Sequence, residues 1–243
     1  MGIVSVRYSN HHGALGYCTR LAAAEGCIGM LAANGGPAMA PWGGRTEVLG
    51  NNPWSIATPA GTHPPIVLDM ANTLVARGKI FVARQKGLPI PEGWAIDAEG
   101  RPTTDHVAAL GGVILPMAEH KGYAITLMMD VLAGALSGSQ VLTGVNSPFH
   151  TDRRSGSGHF VLALDVAKFG PLAEFERRVE AMIAEIKAAP RAAGVAEIFH
   201  PGEMEARNEA THIRDGLVLP VKTIRDLADA AEKLGVAMPE EWR

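Results

Sequence analysis

Two adjacent histidines near the start of the chain are the residues best suited to proton transfer. His11 and His12 follow a short apolar segment, residues 3–8, and Gly13 comes directly after them. The pKa of imidazole lies near neutrality, so a histidine can take a proton from a substrate and return it. A strand that ends in such residues beside a glycine is typical of active sites in α/β enzymes. A histidine that only caps or packs against the next helix is the alternative interpretation.

The segments around this pair predict a strand, a helix and a second strand. Apolar residues recur at helical spacing after Gly13, and Gly26 is typical of a helix C-terminus. Residues 27–33 are continuously small or apolar, as expected of a buried strand. A strand, a helix and a strand in succession predict a parallel crossover.

Further elements follow at regular intervals. The long loop 38–53 is a binding candidate, because compact domains seldom keep a loop of that length without a function. Asp69 follows a predicted strand, and Asn72 or Thr73 is predicted to cap the next helix. The pattern also predicts strands at 54–58, 65–68 and 160–165. Helices are predicted from Lys121 to about Ser137, at 172–188, from the loop at 200–202 to Arg214, and at 223–234.

Composition narrows the class of protein. The 243 residues suffice for one large domain, and 22 basic and 25 acidic residues, well mixed, argue against a nucleic-acid partner. No apolar run is long enough to span a membrane, and no leader pattern precedes the first strand, so a cytoplasmic protein is expected. Cys18 and Cys27 lack the partners of a zinc site, and no metal ion is predicted.

The usual dinucleotide fingerprint is missing from the sequence. The nearest match, Gly156-Ser-Gly158, has Val161 in place of the third glycine and precedes a strand instead of following one. A nucleotide site in this chain must therefore have another design.

Several short motifs recur together, in this order, in one family. They are Ser9-Asn10-His11-x-Gly13, Pro41-Trp42-Gly43-Gly44, Asp69-Met70-Ala71, Ala76-Arg77-Gly78-Lys79, Pro89-Ile90-Pro91-Glu92-Gly93-Trp94, His120-Lys121-Gly122-Tyr123 and Pro201-Gly202-Glu203. On these motifs the chain resembles the malate/L-lactate dehydrogenase family of the non-Rossmann type. That family also includes ureidoglycolate, sulfolactate, diketogulonate and cyclic-imine enzymes.

The resemblance implies a fold and a reaction. The fold would be α/β, a mixed central sheet with flanking helices, non-Rossmann and L-sulfolactate-dehydrogenase-like. Residues 1–243 would form a single domain, with the C-terminal helices from about residue 201 packed back on it. The reaction would be hydride transfer between NAD or NADP and a small 2-hydroxy acid or 2-oxo acid, in a homodimer.

The resemblance also assigns roles to residues. His11 would be the catalytic acid and base. His12 would replace an aromatic residue, as a packing group or, alternatively, as a second titrating group. The cofactor would contact Gly35, Asp69, Met70, Ala71, Lys121, Gly122, Pro201, Gly202, Glu203 and Arg207. Relatives can offer a serine side chain to the cofactor at the position of Gly35. Because glycine has no side chain, only a backbone contact would be available here.

Family members usually carry an N-terminal helical segment with an Asp-Ser-His-Gly motif and an arginine that hold the substrate. This sequence lacks that segment, so the resemblance implies weak or no turnover for the chain made alone. A cyclic-imine carboxylate reductase and an inactive remnant or accessory subunit are alternative functions. A metal-dependent hydrolase built on His11, His12 and His63 is a third, although no acidic residue completes its ligand spacing.

Overall fold

The computed structural model describes residues 1–147 and 152–239, and its centre is a sheet of five strands. The order across the sheet is β1, β8, β2, β3, β4. The strands are β1 (Gly2–Ser9), β2 (Cys27–Ala33), β3 (Trp54–Thr58), β4 (Ile66–Met70) and β8 (Ser157–Asp165). A smaller sheet contains β5 (Ala95–Ile96), β6 (Pro102–Thr103) and β7 (Val113–Ile114).

Seven α-helices accompany these strands in the described residues. They are α1 (Leu15–Ala24), α2 (Arg77–Lys86), α3 (His106–Gly111), α4 (His120–Asp130), α5 (Leu172–Ala188), α6 (Glu203–Asp215) and α7 (Val221–Leu234). A π-helical turn, Val131–Ala135, extends α4, so the apolar helix predicted from Lys121 onward is present.

The last strand of the sheet in sequence lies between its first two. β8 pairs antiparallel with β1 on one side and with β2 on the other. β1 and β2 therefore run parallel, as the strand, helix and strand pattern predicts, but they do not touch. The α/β fold class is confirmed, with one difference in the sheet: its neighbouring strands in the described residues are all antiparallel, not mixed.

The two faces of the sheet carry different helices. Leu31, Ala33 and Val161 pack with Leu15 of α1 on one face. The intervening residues of β2 and β8 face α4, in a cluster that contains Met30, Ala32, Met129, Phe160 and Leu162. This alternation follows from the two-residue period of a strand. A residue of β8 such as His159 therefore shares the α1 face with Val161.

The helix after β4 begins later than predicted. Its first residue is Arg77, and no side chain caps it, so the prediction that Asn72 or Thr73 is the cap is wrong. Asn72 is instead fully buried and accepts a hydrogen bond from Trp54 Nε1. A side chain already used inside the fold is not free to cap a helix.

Contacts divide the chain into two compact units, Met1–Glu203 and Met204–Arg243. The five-stranded sheet belongs to the first unit, and α7 and most of α6 belong to the second. A single domain with its C-terminal helices packed back on it stays a prediction. None of the helices in the described residues is both long and apolar enough to cross a membrane.

Candidate functional site

The end of β1 is bent by an irregularity in its pairing with β8. The register shifts between Val6 and Ser9, and Tyr8 adopts a left-handed backbone with φ of 50°. The Tyr8 backbone N–H then donates to Ser139 Oγ at 3.0 Å instead of to a strand. Bulges of this kind re-aim a strand and recur beside active sites. Here the bulge directs the chain into the turn that carries His11.

His11 is exposed and its ring is oriented by the backbone of Gly13. The Gly13 N–H donates to His11 Nδ1 at 3.0 Å, and Gly13 has a φ of 77° that glycine tolerates without strain. Because Nδ1 accepts this bond, the proton of a neutral ring is assigned to Nε2. Nε2 is thus the nitrogen that can donate to a substrate oxygen.

Two more histidines extend from His11 into the protein. The rings of His11 and His12 stack with centroids 5.4 Å apart and planes at 10°, and His159 meets His12 edge-on at 5.3 Å. The pKa of His12 is lowered from 6.5 to about 4, chiefly by burial. Electrostatic repulsion from His159, and then from His11, lowers it further. Burial also lowers the pKa of His159. Near neutral pH, His12 and His159 are therefore uncharged aromatic rings.

This histidine cluster is badly shaped for a metal ion. The lone pairs of imidazole lie in the ring plane, and the near-parallel planes of His11 and His12 do not meet at a point that is about 2.0–2.1 Å from both rings. The described residues contain no group of three His, Cys, Asp or Glu side chains that could hold a metal ion. The geometry therefore disfavours the metal-dependent hydrolase.

Acid should weaken the fold through this cluster. The pKa of His12 is about 4 when folded and 6.5 ordinarily, so between these values the unfolded chain binds more protons. Stability is therefore lost as the pH falls from about 6.5 to about 4. Phenylalanine takes up no proton, so we expect His12→Phe to lose less Tm than the wild type between about pH 7 and pH 5. Thermal melts across this range measure the difference, and an equal loss in both proteins would contradict it.

Asp69 caps the helix that follows the histidines. It lies on β4, and its Oδ2 accepts the backbone N–H of Gly16 at 2.7 Å. The residue before α1 is Ala14, which offers no side-chain cap, so a carboxylate from a distant strand satisfies this helix N-terminus. Asp69 is thus a cap of α1, and its predicted contact with the cofactor stays a prediction. The contact places β4 beside the turn of His11.

The Pro201–Gly202 turn is attached to the same strand. The backbone N–H of Val67 donates to the carbonyl of Pro201 at 2.9 Å. A Cβ on Gly202 would lie 2.9 Å from the Val67 Cβ, which is too close for a side chain. Gly202 also has a φ of 88°, a backbone conformation that favours glycine, so both the space and the backbone require glycine. Val67 and Asp69 are two residues apart and share the face of β4 that meets α1.

Glu203 is already bound inside the protein. Lys187 Nζ donates to its two carboxylate oxygens at 2.8 and 2.9 Å, and the backbone N–H of His200 donates to Oε2 at 3.2 Å. The Glu203 carboxylate is nearly buried, and its contact raises the pKa of Lys187. The observed role of Glu203 is therefore to brace the turn at 200–202, and its predicted contact with the cofactor stays a prediction.

Two buried asparagines, Asn52 and Asn72, connect the loop after β2 to the loop after β4, and a third, Asn34, contacts α4. The Gly35 N–H donates to Asn52 Oδ1 at 3.0 Å, and Asn72 Nδ2 donates to the Asn52 carbonyl at 2.7 Å. Asn34 Nδ2 donates to the buried Asp130 carboxylate at 2.7 Å. Because the Gly35 N–H is already used, only its carbonyl remains for the backbone contact that the sequence predicts.

The N-terminus of α4 lies next to the end of β4. The Met117 N–H donates to the carbonyl of Asn72 at 2.9 Å, and a Cβ on Gly122 would approach the Met117 carbonyl oxygen to 2.0 Å. Ala118 and Glu119 between them have φ of 47° and 57°. Lys121 is exposed and forms no ion pair within the described residues. A free ammonium at a helix N-terminus without a side-chain cap has the chemistry to bind a phosphate.

Comparison with known proteins identifies the family of this chain. The profile of the malate/L-lactate dehydrogenase family matches residues 1–228. The chain belongs to the malate/L-lactate dehydrogenase family. The family also explains why the conventional dinucleotide motif is missing, because the resemblance placed this chain among enzymes of the non-Rossmann type.

Individual relatives support the same family. The malate/(S)-sulfolactate dehydrogenase of Methanothermus fervidus is 36% identical over 238 residues, 98% of this chain and 68% of the relative. The (2R)-3-sulfolactate dehydrogenase (NADP(+)) of Chromohalobacter salexigens is 41% identical over 75% of this chain and 56% of its own length. The solved sulfolactate dehydrogenase of Methanocaldococcus jannaschii superposes with a TM-score of 0.90 at 38% identity, over 97% of this chain and 67% of that one.

The similarity to these dehydrogenases shows that the protein is an oxidoreductase, and the structural match confirms the fold that the resemblance implied. The chain spans about two thirds of the length of the M. fervidus relative.

The structure brings most of the predicted site residues together around β4. Asp69 and Met70 lie on this strand, Ala71 follows it, and the anchors described above attach Pro201–Gly202 and Lys121–Gly122 to it. His11 and Asp69 border the same end of α1. Arg207 lies on α6 in the second compact unit, so its predicted role stays a prediction.

Sequence reasoning missed the residues that hold these parts in place. His159, Asn52 and Lys187 each act through a contact with a distant part of the chain. The one available signal for His159 was its position directly before the predicted strand 160–165, two residues before Val161, which places both on one face if the strand begins earlier. Its meeting with His12 depends on β8 pairing with β1.

Proposed function

We propose that this chain carries out reversible hydride transfer between a nicotinamide cofactor, NAD or NADP, and a small 2-hydroxy acid or 2-oxo acid. The observation that carries the proposal is the convergence on β4 of a histidine turn, a capping carboxylate and a free lysine at a helix N-terminus. Malate, sulfolactate and lactate are the acids named for relatives of this family.

The residues at the end of β4 suit a nicotinamide cofactor. Lys121 and the N-terminus of α4 would hold a phosphate, and the half-buried segment Met70–Ala71 would line the ring side of the molecule. Asp69 keeps Oδ1 without a hydrogen bond in the described residues, which leaves one acceptor for a hydroxyl or an amide. When bound, the cofactor donates or accepts the hydride.

The proton of the reaction would pass through His11. In the reduction direction the oxo oxygen gains a proton as the hydride reaches its carbon, and His11 Nε2 is the donor. A net transfer requires that Nδ1 is protonated as well, because the ring would otherwise be left as an anion. We therefore expect the bond from the Gly13 N–H to Nδ1 to open in the imidazolium form and to return in the neutral form.

Burial of His12 as a neutral ring supports this assignment. A charged neighbour stacked on His11 would oppose formation of the imidazolium. With its pKa at about 4, His12 is neutral near pH 7 and adds no positive charge beside His11. A histidine at position 12, where the family often has another aromatic residue, is thus compatible with proton transfer by His11.

We also infer that the protein forms a homodimer in the cytoplasm. β1 is an edge strand, and Ile3, Val4 and Tyr8 are each more than half exposed, at 53%, 58% and 52%. An apolar edge strand invites pairing or covering by another surface. A second copy would cover it, and sedimentation measures the resulting mass.

A substrate panel tests the proposed reaction. The purified chain is mixed with NADH or NADPH and with pyruvate, oxaloacetate, sulfopyruvate or a cyclic-imine carboxylate, and absorbance at 340 nm is followed. We expect consumption of reduced cofactor with at least one 2-oxo acid, and a rate that is weak but above the rate without substrate supports the proposal. Consumption with the imine alone would replace the proposal by the reductase alternative. Cofactor binding by fluorescence without turnover would favour the accessory subunit.

A further inference from the structure

The imidazole of His12 lies between two other imidazole rings. On one side the plane of His11 is parallel to it within 10°, with centroids 5.4 Å apart, and on the other His159 approaches edge-on at 5.3 Å. Both distances and both orientations belong to the favourable arrangements of aromatic pairs. The three rings form a continuous aromatic contact from the exposed turn to the interior of β8.

Packing, and not hydrogen bonding between the rings, holds this cluster. The Nδ1 atoms of His12 and His159 are buried and have no hydrogen-bond partner in the described residues. His159 is only 7% exposed. It lies beside Val6 of β1 and Ala33 of β2 in the sheet. The innermost ring is therefore fixed by the sheet, and the next one rests on it.

The outermost ring has few other constraints. His11 is exposed, and its one hydrogen bond in the described residues is the bond from Gly13 to Nδ1. A single bond leaves rotation about the side-chain torsions open, whereas a flat ring beneath it restricts the plane. Parallel stacking on His12 supplies that second restraint.

We propose that His12, seated on His159, is a positioning residue that fixes the ring plane of His11 and so maintains the bond from the Gly13 N–H to Nδ1 that sets the His11 tautomer. The proposal rests on the proposed role of His11 in proton transfer. His12 touches neither substrate nor cofactor in this scheme and takes up no proton during turnover. It acts by its flat face, so an aromatic side chain should replace it and an aliphatic one of similar bulk should not.

Charge is not the basis of this positioning. The titratable groups that influence the pKa of His12 from the elements packed on it are His159 of β8 and His11 of its own turn. Burial keeps His12 and His159 neutral near pH 7, so His11 meets an uncharged surface. A substitution without charge therefore leaves the electrostatics unchanged and tests the shape of the ring alone.

His12→Leu and His12→Phe form the matched pair for the test. Both are apolar and of similar bulk, and only phenylalanine offers a ring face. Imidazole nitrogen and carbon-bound proton resonances are recorded on the full chain at about pH 7.5, and His11→Asn assigns the His11 signals by their loss. We expect one Nε2–H tautomer and an upfield ring proton in the wild type and His12→Phe. His12→Leu should show averaged tautomers and no upfield shift.

Turnover supplies a second readout. We expect kcat to fall at least about tenfold in His12→Leu, to recover to within about threefold in His12→Phe, and the KM for cofactor to change less than about twofold. Melting curves confirm that both variants fold. Identical His11 resonances in the two folded variants would overturn the proposal. If the wild type has no turnover, the proposed function fails, and the resonances still decide whether His12 positions the ring.

Discussion

Replacement of His11 by asparagine is expected to lower kcat by about 10²–10⁴-fold while leaving cofactor affinity nearly unchanged. Asparagine can still donate a hydrogen bond to the substrate oxygen, but it cannot give up a proton. His11 is exposed and its ring is not part of a buried core, so the variant should fold with a Tm close to that of the wild type. Steady-state rates of oxo-acid reduction, together with cofactor fluorescence titrations, measure the two effects separately.

His63→Asn is the control for this substitution. His63 is also exposed, and it lies in the turn between β3 and β4, away from the histidine turn in sequence. We expect its rate to match the wild type within about twofold. Turnover of His11→Asn within a few-fold of the wild type would remove His11 from the proton-transfer step.

Replacement of Gly122 by alanine should damage both stability and cofactor binding. The added methyl group would lie 2.0 Å from the carbonyl oxygen of Met117, and this is a backbone atom that cannot rotate away. The start of α4 must then move off the 116–117 segment, which costs about 1–3 kcal/mol or more. Lys121 moves with it. We expect a lower Tm and weaker binding of NADH or NADPH, measured by thermal melts and by fluorescence.

Gly78→Ala is the matched control. Gly78 lies in the first turn of α2, and a Cβ there would meet nothing within 4 Å. Alanine is the better helix former by up to about 1 kcal/mol, so this variant should be as stable as the wild type or slightly more so. If Gly122→Ala melts at the same temperature as Gly78→Ala, the close contact with Met117 does not limit the position of α4.

The sequence predicted most of the local elements within a few residues. Strand and helix patterns around the histidines, the β8 pattern and the long amphipathic α5 are all present. Hydrophobic periodicity and glycine positions are local properties of the sequence, so they can be recognised without knowledge of the tertiary structure. The start of α2 was one exception, because Asn72 looks like a cap and is instead used by Trp54. The short elements β5, β6, α3 and β7 were not predicted.

The candidate site was predicted less completely than the fold. Chemistry and family resemblance together singled out His11, Asp69 and Lys121, but not the contacts that bring their segments together. Asp69 caps a helix 53 positions earlier, and Glu203 is bound by Lys187, 16 positions away. A residue's type states what it can bind, whereas its actual partner depends on which segments the fold makes adjacent.

What the sequence determined by itself was the set of pieces: a strand ending in His11, His12 and Gly13, a helix after it, and a family without the usual dinucleotide loop. The tertiary structure decided how they act together. β8 inserts between β1 and β2 and carries His159 to His12 across 147 positions of sequence. Pairing between strands so distant depends on the packing of the whole sheet and leaves no local periodicity to detect. For this reason the neutral aromatic support of His11 became visible only in the folded chain.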